Sequence, residues 1–319
     1  MNQLNFTFDE KLSSRLDKIL AKHLEPLTRS QIKMLCSSIL VNGKIAKMST
    51  KLKNGDRVLF VYKDLEIPTN EGQAIPLDVI YEDKDVIVID KRQGMVVHPS
   101  STTPKGTLVN ALNYYRLNSS PIKDEFSSVI LQNAPLPASM NDLLRLGIVH
   151  RLDKDTSGVI VTARNIKTQE FLKNEFKKHL VKKTYIAILE GVPKDREKVI
   201  KTSIFRNKNG KFIASSNLKK GRLAVSKYKV LKTYRGFSLV KFRIFTGRTH
   251  QIRVHAKYIC HPVLGDAIYG KPLKDFSLAL HSYKIELDIA ENKHKIFKAK
   301  LPLRFKKAFL ACKKEYGRK

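Results

Sequence analysis

Apolar positions near the start of the chain recur at helical spacing. Leu16, Ile19, Leu20 and Leu24 share one face of a 3.6-residue repeat, and Ile32, Leu35 and Cys36 share one face of a second. Ser14 with Asp17, and Thr28 with Gln31, have capping-box spacing, which predicts where the two helices begin. ILVNGKIAK at 39–47 then sets Asn-Gly between short apolar runs, a hairpin signal. LKNGDRVLFVY at 52–62 adds another Asn-Gly turn and a strand. Residues 11–62 are therefore expected to form a small helix-helix-hairpin module. Pro68, Gly72 and Pro76 among polar residues predict a linker over 63–78.

A second domain is expected from residue 79. VIYEDKDVIVIDK (79–91) predicts two strands around an Asp-Lys-Asp turn, and GMVVHP (94–99) a strand leading into a loop. TLVNALNYYRL (107–117) places Leu108, Ala111, Leu112 and Tyr115 at helical spacing. Residues 118–143, rich in Ser, Asn and Pro, read as an inserted loop. VIVTA (159–163) reads as a buried strand, followed by a helix carrying Phe171, Leu172 and Phe176. KKTYIAILEG (182–191) predicts a strand. SKYKVLKTY (226–234) and FSLVKFRIF (237–245) predict a hairpin around Arg235-Gly236, and Thr249 is expected to cap a helix through HQIRVHAKYI. Strands and helices mix irregularly, so the fold class is α+β rather than a regular βαβ series.

Charge changes the picture. The chain of 319 residues has 61 Lys and Arg against 29 Asp and Glu, a net charge of +32. Residues 163–260 carry 26 basic against 5 acidic residues, whereas 63–162 carry 10 against 13. A basic excess gathered in one region points to a polyanionic partner, with nucleic acid preferred over a membrane surface. No membrane partner is expected, because no run of 18 or more apolar residues occurs and MNQLNFTFDE is not a signal peptide. Cys36, Cys260 and Cys312 stand far apart with no CxxC pair, so no zinc knuckle or disulfide framework is expected and a reducing cytoplasm is the expected compartment. In the first module Arg29 and Lys33 are four apart, on one helix face, where they could meet phosphates or simply be solvated.

The densest chemistry lies in GIVHRLDKDTSG, residues 147–158. Asp153 stands between Arg151 and Lys154, and flanking cations favour an ionised carboxylate. Such a carboxylate suits a nucleophile rather than a general acid. A structural Asp in a turn is the plain alternative. Asp155 raises a metal-binding rival, which the flanking cations and the lack of a third nearby carboxylate disfavour. In TGRTHQIRVH (246–255), Arg248 and Arg253 lie near a helix start; one of them could hold Asp153, or both could meet phosphates. Tyr185 is an aromatic on a basic strand, suited to packing or to stacking on an unpaired base.

HRLDKDTSG, KKTY, TGRTHQIRVH, DKRQGMVVHP and HPVLGDAIYG together resemble the RluA-type pseudouridine synthases over roughly residues 79–303. The first module resembles the S4 RNA-binding domain. The resemblance implies a catalytic domain with a central mixed, mostly antiparallel sheet over 79–303, leaving 304–319 as a basic C-terminal tail. It implies that Asp153 is catalytic and that Arg151 enters the RNA where the target base has left. It implies further that Tyr185 lies against the target uracil and that Arg253 pairs with Asp153. The implied reaction breaks the N1–C1′ bond of uridine and joins C5 to C1′, with no cofactor and no metal. Asp153 either attacks C1′ or takes the C2′ proton; the resemblance favours the second, with Tyr185 as a proton shuttle. The implied partner is 23S ribosomal RNA or a pre-ribosomal particle, met by a monomer. HPSSTTPKGTLVNAL (98–112) looks like the RluD branch, which modifies the helix 69 stem-loop. A non-enzymatic RNA-binding or ribosome-assembly protein is the rival reading.

Overall fold

The computed structural model describes residues 1–10, 12–25, 27, 29–63, 70–100, 102–122, 124–127, 146–234, 236–273 and 276–308. The expected cap at Thr28, turn residue Arg235, most of the 118–143 insertion and residues 309–319 of the expected tail lie outside them; residues 304–308 of that tail are instead helical, with Phe305 and Ala308 packed into the core. The chain divides into two compact units, Met1–Pro68 with Ser100–Pro104, and Thr69–Pro99 with Lys105–Lys319. Among the described residues, no helix is long and apolar enough to cross a membrane.

The first unit contains β1 (Asn2–Thr7), β2 (Ser14–Arg15), α1 (Leu16–His23), α2 (Arg29–Leu35), β3 (Cys36–Val41), β4 (Lys44–Ile45), β5 (Lys51–Leu52) and β6 (Arg57–Tyr62). The two helices and the Asn42-Gly43 hairpin follow the apolar pattern, except that Cys36, expected on the face of the second helix, opens β3 instead. β1 was not anticipated: NQLNFT alternates, placing Leu4 and Phe6 against the core while its backbone pairs antiparallel with β6. The sheet order is β1-β6-β3-β4, with β2 and β5 paired separately. Leu16, Ile19, Leu20, Ile32 and Phe60 form the centre of the core. The Ser14–Asp17 capping box does not form. Ser14 is taken up in β2 opposite Leu52, and the Arg15 guanidinium holds the Asp17 carboxylate at 2.9 and 3.0 Å. Arg29 and Lys33 are exposed on α2.

The second unit is built on a mixed sheet of ten strands. They are β7 (Val79–Glu82), β8 (Val86–Lys91), β9 (Ser157–Ala163), β10 (Lys182–Glu190), β11 (Glu197–Arg206), β12 (Phe212–Ser215), β13 (Arg222–Tyr234), β14 (Phe237–Ile244), β15 (Leu280–Asp288) and β16 (His294–Lys298). Their order is β12-β11-β13-β14-β10-β15-β9-β8-β7, with β16 also on β15. Among the described residues, only the short β9–β15 pairing of this sheet is parallel. Every residue of β9 is buried, because both faces are covered. Val159 and Val161 face Leu172 of α4 (Ile166–Lys177), whereas Ile160 faces the cluster containing Leu108 and Leu112 of α3 (Leu108–Asn118). Thr107 closes a capping box with Asn110 at the start of α3.

GMVVHP is not a strand. The Val96 and Val97 carbonyls instead accept from the Leu108 and Val109 N–H groups, satisfying donors that the first turn of α3 leaves over. Residues 70–78 form no regular element but are fastened to α3: the Gln73 N–H donates to the Asn110 carbonyl, and Asn113 Nδ2 to the Asn70 carbonyl.

The described ends of the insertion are tied by buried arginines. Arg116 donates to the Leu146 carbonyl at 2.7 Å and the Ala163 carbonyl at 2.6 Å, and lies 2.9 Å from the Asp124 carboxylate. Arg164 pairs with Glu82 at 3.2 Å and donates to Ser120 at 2.9 Å.

Candidate active site

The segment from Gly147 to Thr156 is held along β9 before it reaches the site. Gly147 has φ +82°, and a Cβ there would stand 2.1 Å from the Ala163 carbonyl oxygen, so only glycine permits the close pairing. The Ala163 N–H donates to the Gly147 carbonyl, and the Gly147 N–H to Gln169. His150 accepts from the Val161 N–H through Nε2 at 2.9 Å and stacks on Phe176. Burial, with nearby Lys183, pushes its pKa down to about 3, consistent with a neutral acceptor. His150 is thus a fastening of this segment rather than a reacting group.

Lys91, at the end of β8, holds the next part. Its ammonium is fully buried and donates to the carbonyls of Met95 at 2.9 Å, Arg92 at 3.0 Å and Lys154 at 3.2 Å. Burial lowers its pKa to about 8, opposed by Asp155 and Asp153. Gln93 donates to the Asp155 carbonyl. This cationic support under the loop had a sequence signal, the Lys within DKRQG, but no role was assigned to it.

Asp153 then enters a cavity of about 110 Å3 together with Arg151, Tyr185, Arg248, His250 and Arg253. Five of the seven expected site residues meet there. Arg29 and Lys33 belong to the first unit. Asp155 does not line the cavity. The Asp153 carboxylate is 23% exposed, open enough to meet a ligand. Its Oδ2 lies 3.9 Å from Arg253 Nη1 and 4.0 Å from His250 Nε2, beyond hydrogen-bond length.

Arg253 lies within ion-pair distance of Asp153, as expected, and it has a second, closer partner in Asp266. Arg253 Nε and Nη2 donate to the two Asp266 oxygens at 2.8 and 2.7 Å. Asp266 also accepts from the Ile268 and Tyr269 N–H groups. Burial would raise the Asp266 pKa, but Arg253 and these backbone donors outweigh it and hold the group below its ordinary value. The fork fixes the guanidinium plane and leaves Nη1 on the Asp153 side. Asp266 was missed as a site residue, although it sits in the HPVLGDAIYG motif.

Thr249 does not cap the following helix. α5 (Gln251–Tyr258) begins after His250, which adopts φ 56° and makes no side-chain cap. Gln251 takes over locally: its Oε1 accepts from the Arg248 N–H at 3.0 Å and the Thr246 hydroxyl at 2.7 Å. Arg248 Nε donates to the Leu223 carbonyl, which places this arginine at the rim. Burial lowers the His250 pKa despite nearby Asp153, and its Nδ1 lies 2.9 Å from the Tyr269 hydroxyl.

Tyr185 projects from β10 on the cavity side and is buried. Burial is the main cause of its raised pKa; a hydrogen bond with Ser282 opposes it and Asp153 adds to it. The hydroxyl therefore stays protonated. The cavity unites a carboxylate, an oriented guanidinium and a protonated phenol, with Arg151 exposed at its edge. Such a set can accept a proton, bind an anion and pack against a planar ring.

Residues 85–258 match the family model described as RNA pseudouridylate synthase. A ribosomal large subunit pseudouridine synthase D of Borreliella burgdorferi is 37% identical over 94% of this chain and 90% of its own. An uncharacterized RNA pseudouridine synthase of Bacillus subtilis is 36% identical over 90% of each chain. The solved structure of human RNA pseudouridylate synthase domain containing 1 matches with a TM-score of 0.56 and 24% identity. It covers 76% of this chain and 89% of the human one, a likeness of fold.

Proposed function

We propose that this chain, which belongs to the RluA-type RNA pseudouridine synthases, isomerises uridine in large-subunit ribosomal RNA. The observation that carries this reading is the single cavity shared by Asp153, Tyr185 and Arg253. The ribosomal substrate is supported by the relative named ribosomal large subunit pseudouridine synthase D. The stretch at 98–112 supports a target in the helix 69 region.

The target uridine leaves its stack at a cost of a few kcal/mol. Arg151, exposed at the mouth, fills the space it vacates, and the Tyr185 ring packs against the uracil. Asp153 takes the C2′ proton as N1–C1′ breaks and the bonding pair leaves with N1, giving a glycal and a uracil anion. The uracil turns, C5 joins C1′, and the proton returns to C2′. The C5 proton is then lost and N1 is protonated, with the Tyr185 hydroxyl relaying protons. Arg253, fixed by Asp266, supplies positive charge beside the carboxylate throughout. Residues 11–62 act as an S4-type RNA contact, linked through 63–78 to the catalytic domain at 79–303. The exposed Arg29 and Lys33 on α2 support that assignment.

Mapping pseudouridines in ribosomal RNA from a strain lacking this gene tests the reading. One or more large-subunit sites should disappear, return with the wild-type gene and stay absent with Asp153→Asn. An unchanged map would remove the ribosomal substrate, and restoration by Asp153→Asn would remove the carboxylate mechanism.

A further inference from the structure

The ten-stranded sheet carries a band of cations on the face turned away from the cavity. Successive residues of a strand point to opposite faces. Tyr185 faces Asp153, so Thr184 faces the other way. Beside Thr184 lie Arg243 on β14 and Lys284 on β15. Arg243 is paired in turn with Lys227 on β13, and Lys284 with Lys298 on β16. Four cations thus line up across five strands, a distance of about 19 Å at the usual strand spacing. Lys241 and Lys229 face each other at the next such position on β14 and β13. A groove of about 410 Å3 runs between Lys182, Lys241, Arg243 and Lys298.

The nearby carboxylates do not neutralise this band. Glu197 is shared by Lys227 and Lys229, and Glu286 by Lys182 and Lys284. Lys241, Arg243 and Lys298 have no carboxylate partner among the described residues. Like charges directly opposite one another weaken a sheet. Lysines that merely guard against strand pairing belong on edges, but this row crosses the interior strands β14, β10 and β15. Arg243 lies over the Phe245 ring at 5.2 Å, and that ring is 38% exposed. A row of cations beside an aromatic face fits a phosphodiester chain with unpaired bases better than an acidic peptide.

We propose that this reverse face is a second RNA-binding surface, which takes the backbone of the substrate RNA remote from the modified uridine. The proposal rests on the reading that the substrate is a large ribosomal RNA, long enough to reach both faces.

The test compares the full-length wild type with the triple variant Lys241→Gln, Arg243→Gln, Lys298→Gln. Two probes are used, 23S ribosomal RNA and a short hairpin cut from it around the modified uridine. Circular dichroism melting checks folding, and the double variant Arg243→Gln, Lys298→Gln replaces the triple if the triple does not fold. Affinity for 23S RNA should fall by about tenfold, with a log–log salt slope shallower by about 2 for three lost phosphate contacts. Binding and turnover of the hairpin should match the wild type. Unchanged 23S affinity, or an equal loss on both probes, overturns the proposal. So does poly-L-glutamate binding that the variant loses while RNA binding persists. A wild type that forms no pseudouridine in either RNA would defeat the functional reading alone, since the 23S affinity comparison does not depend on turnover.

Discussion

Asp266 grips Arg253 with both carboxylate oxygens, and Arg253 faces Asp153 with its remaining terminal nitrogen. The cavity carboxylate and the buried one are therefore joined through one guanidinium, which Asp266 holds at two nitrogens and the Tyr269 ring covers at 5.3 Å. Asp266→Asn should leave RNA affinity near wild type while lowering kcat, on the order of a hundredfold if the guanidinium swings by an ångström. Breaking a buried pair should also cost about 3–5 kcal/mol in stability. Single-turnover kinetics with binding and melting curves check both. Wild-type kcat in a folded variant would show that Arg253 needs no such support.

Arg151 can be separated from the electrostatics of Asp153. Arg151→Lys keeps a positive charge but loses the planar group that stacks on bases. It should turn over a structured RNA slowly, and a mismatch opposite the target should partly restore the rate by lowering the opening cost. A Lys variant as fast as wild type, with no response to the mismatch, would leave Arg151 a purely electrostatic role.

Acid should unfold this protein through buried neutral histidines. Burial lowers the pKa of His255 and of His281 to about 4, from an ordinary value of 6.5. Between about pH 4 and 6.5 the unfolded chain binds protons that the folded chain refuses, so stability is complete above this window and falls as pH drops through it. His255 bridges Ser226 and Thr202 at 3.0 Å each. His255→Gln, which can keep polar contacts but cannot titrate, should flatten the dependence of Tm on pH below 6.5. An unchanged slope would remove His255 from the acid response.

Local elements of this fold were legible because their signals are local. The α3 apolar spacing and the Asn42-Gly43 turn each lie within one short stretch. β15 was missed because its support is remote: Lys182 pairs with Glu286 across about a hundred residues, and no short-range pattern declares that partner. The same distance separated the two halves of the site. Asp153 and Tyr185 stood out by their motifs, whereas Asp266 acquires its role only when the turn after α5 brings it back onto Arg253. Val96 and Val97 were misread for a related reason. Their apolar side chains suggested a strand, but their carbonyls are spent on the start of α3.

Arg116 gives the insertion a particular standing. The chain leaves α3 at Asn118 and returns at Leu146, and this one buried guanidinium holds Asp124 on the outward side and the Leu146 carbonyl on the return. It also grips Ala163, whose N–H is bonded to Gly147. The described flanks, Asp124 and Leu146, are thus held by one side chain before the chain reaches His150. Loss of the Arg116 side chain would therefore release Asp124, Leu146 and Ala163 at once, and with them the approach of the chain to Asp153.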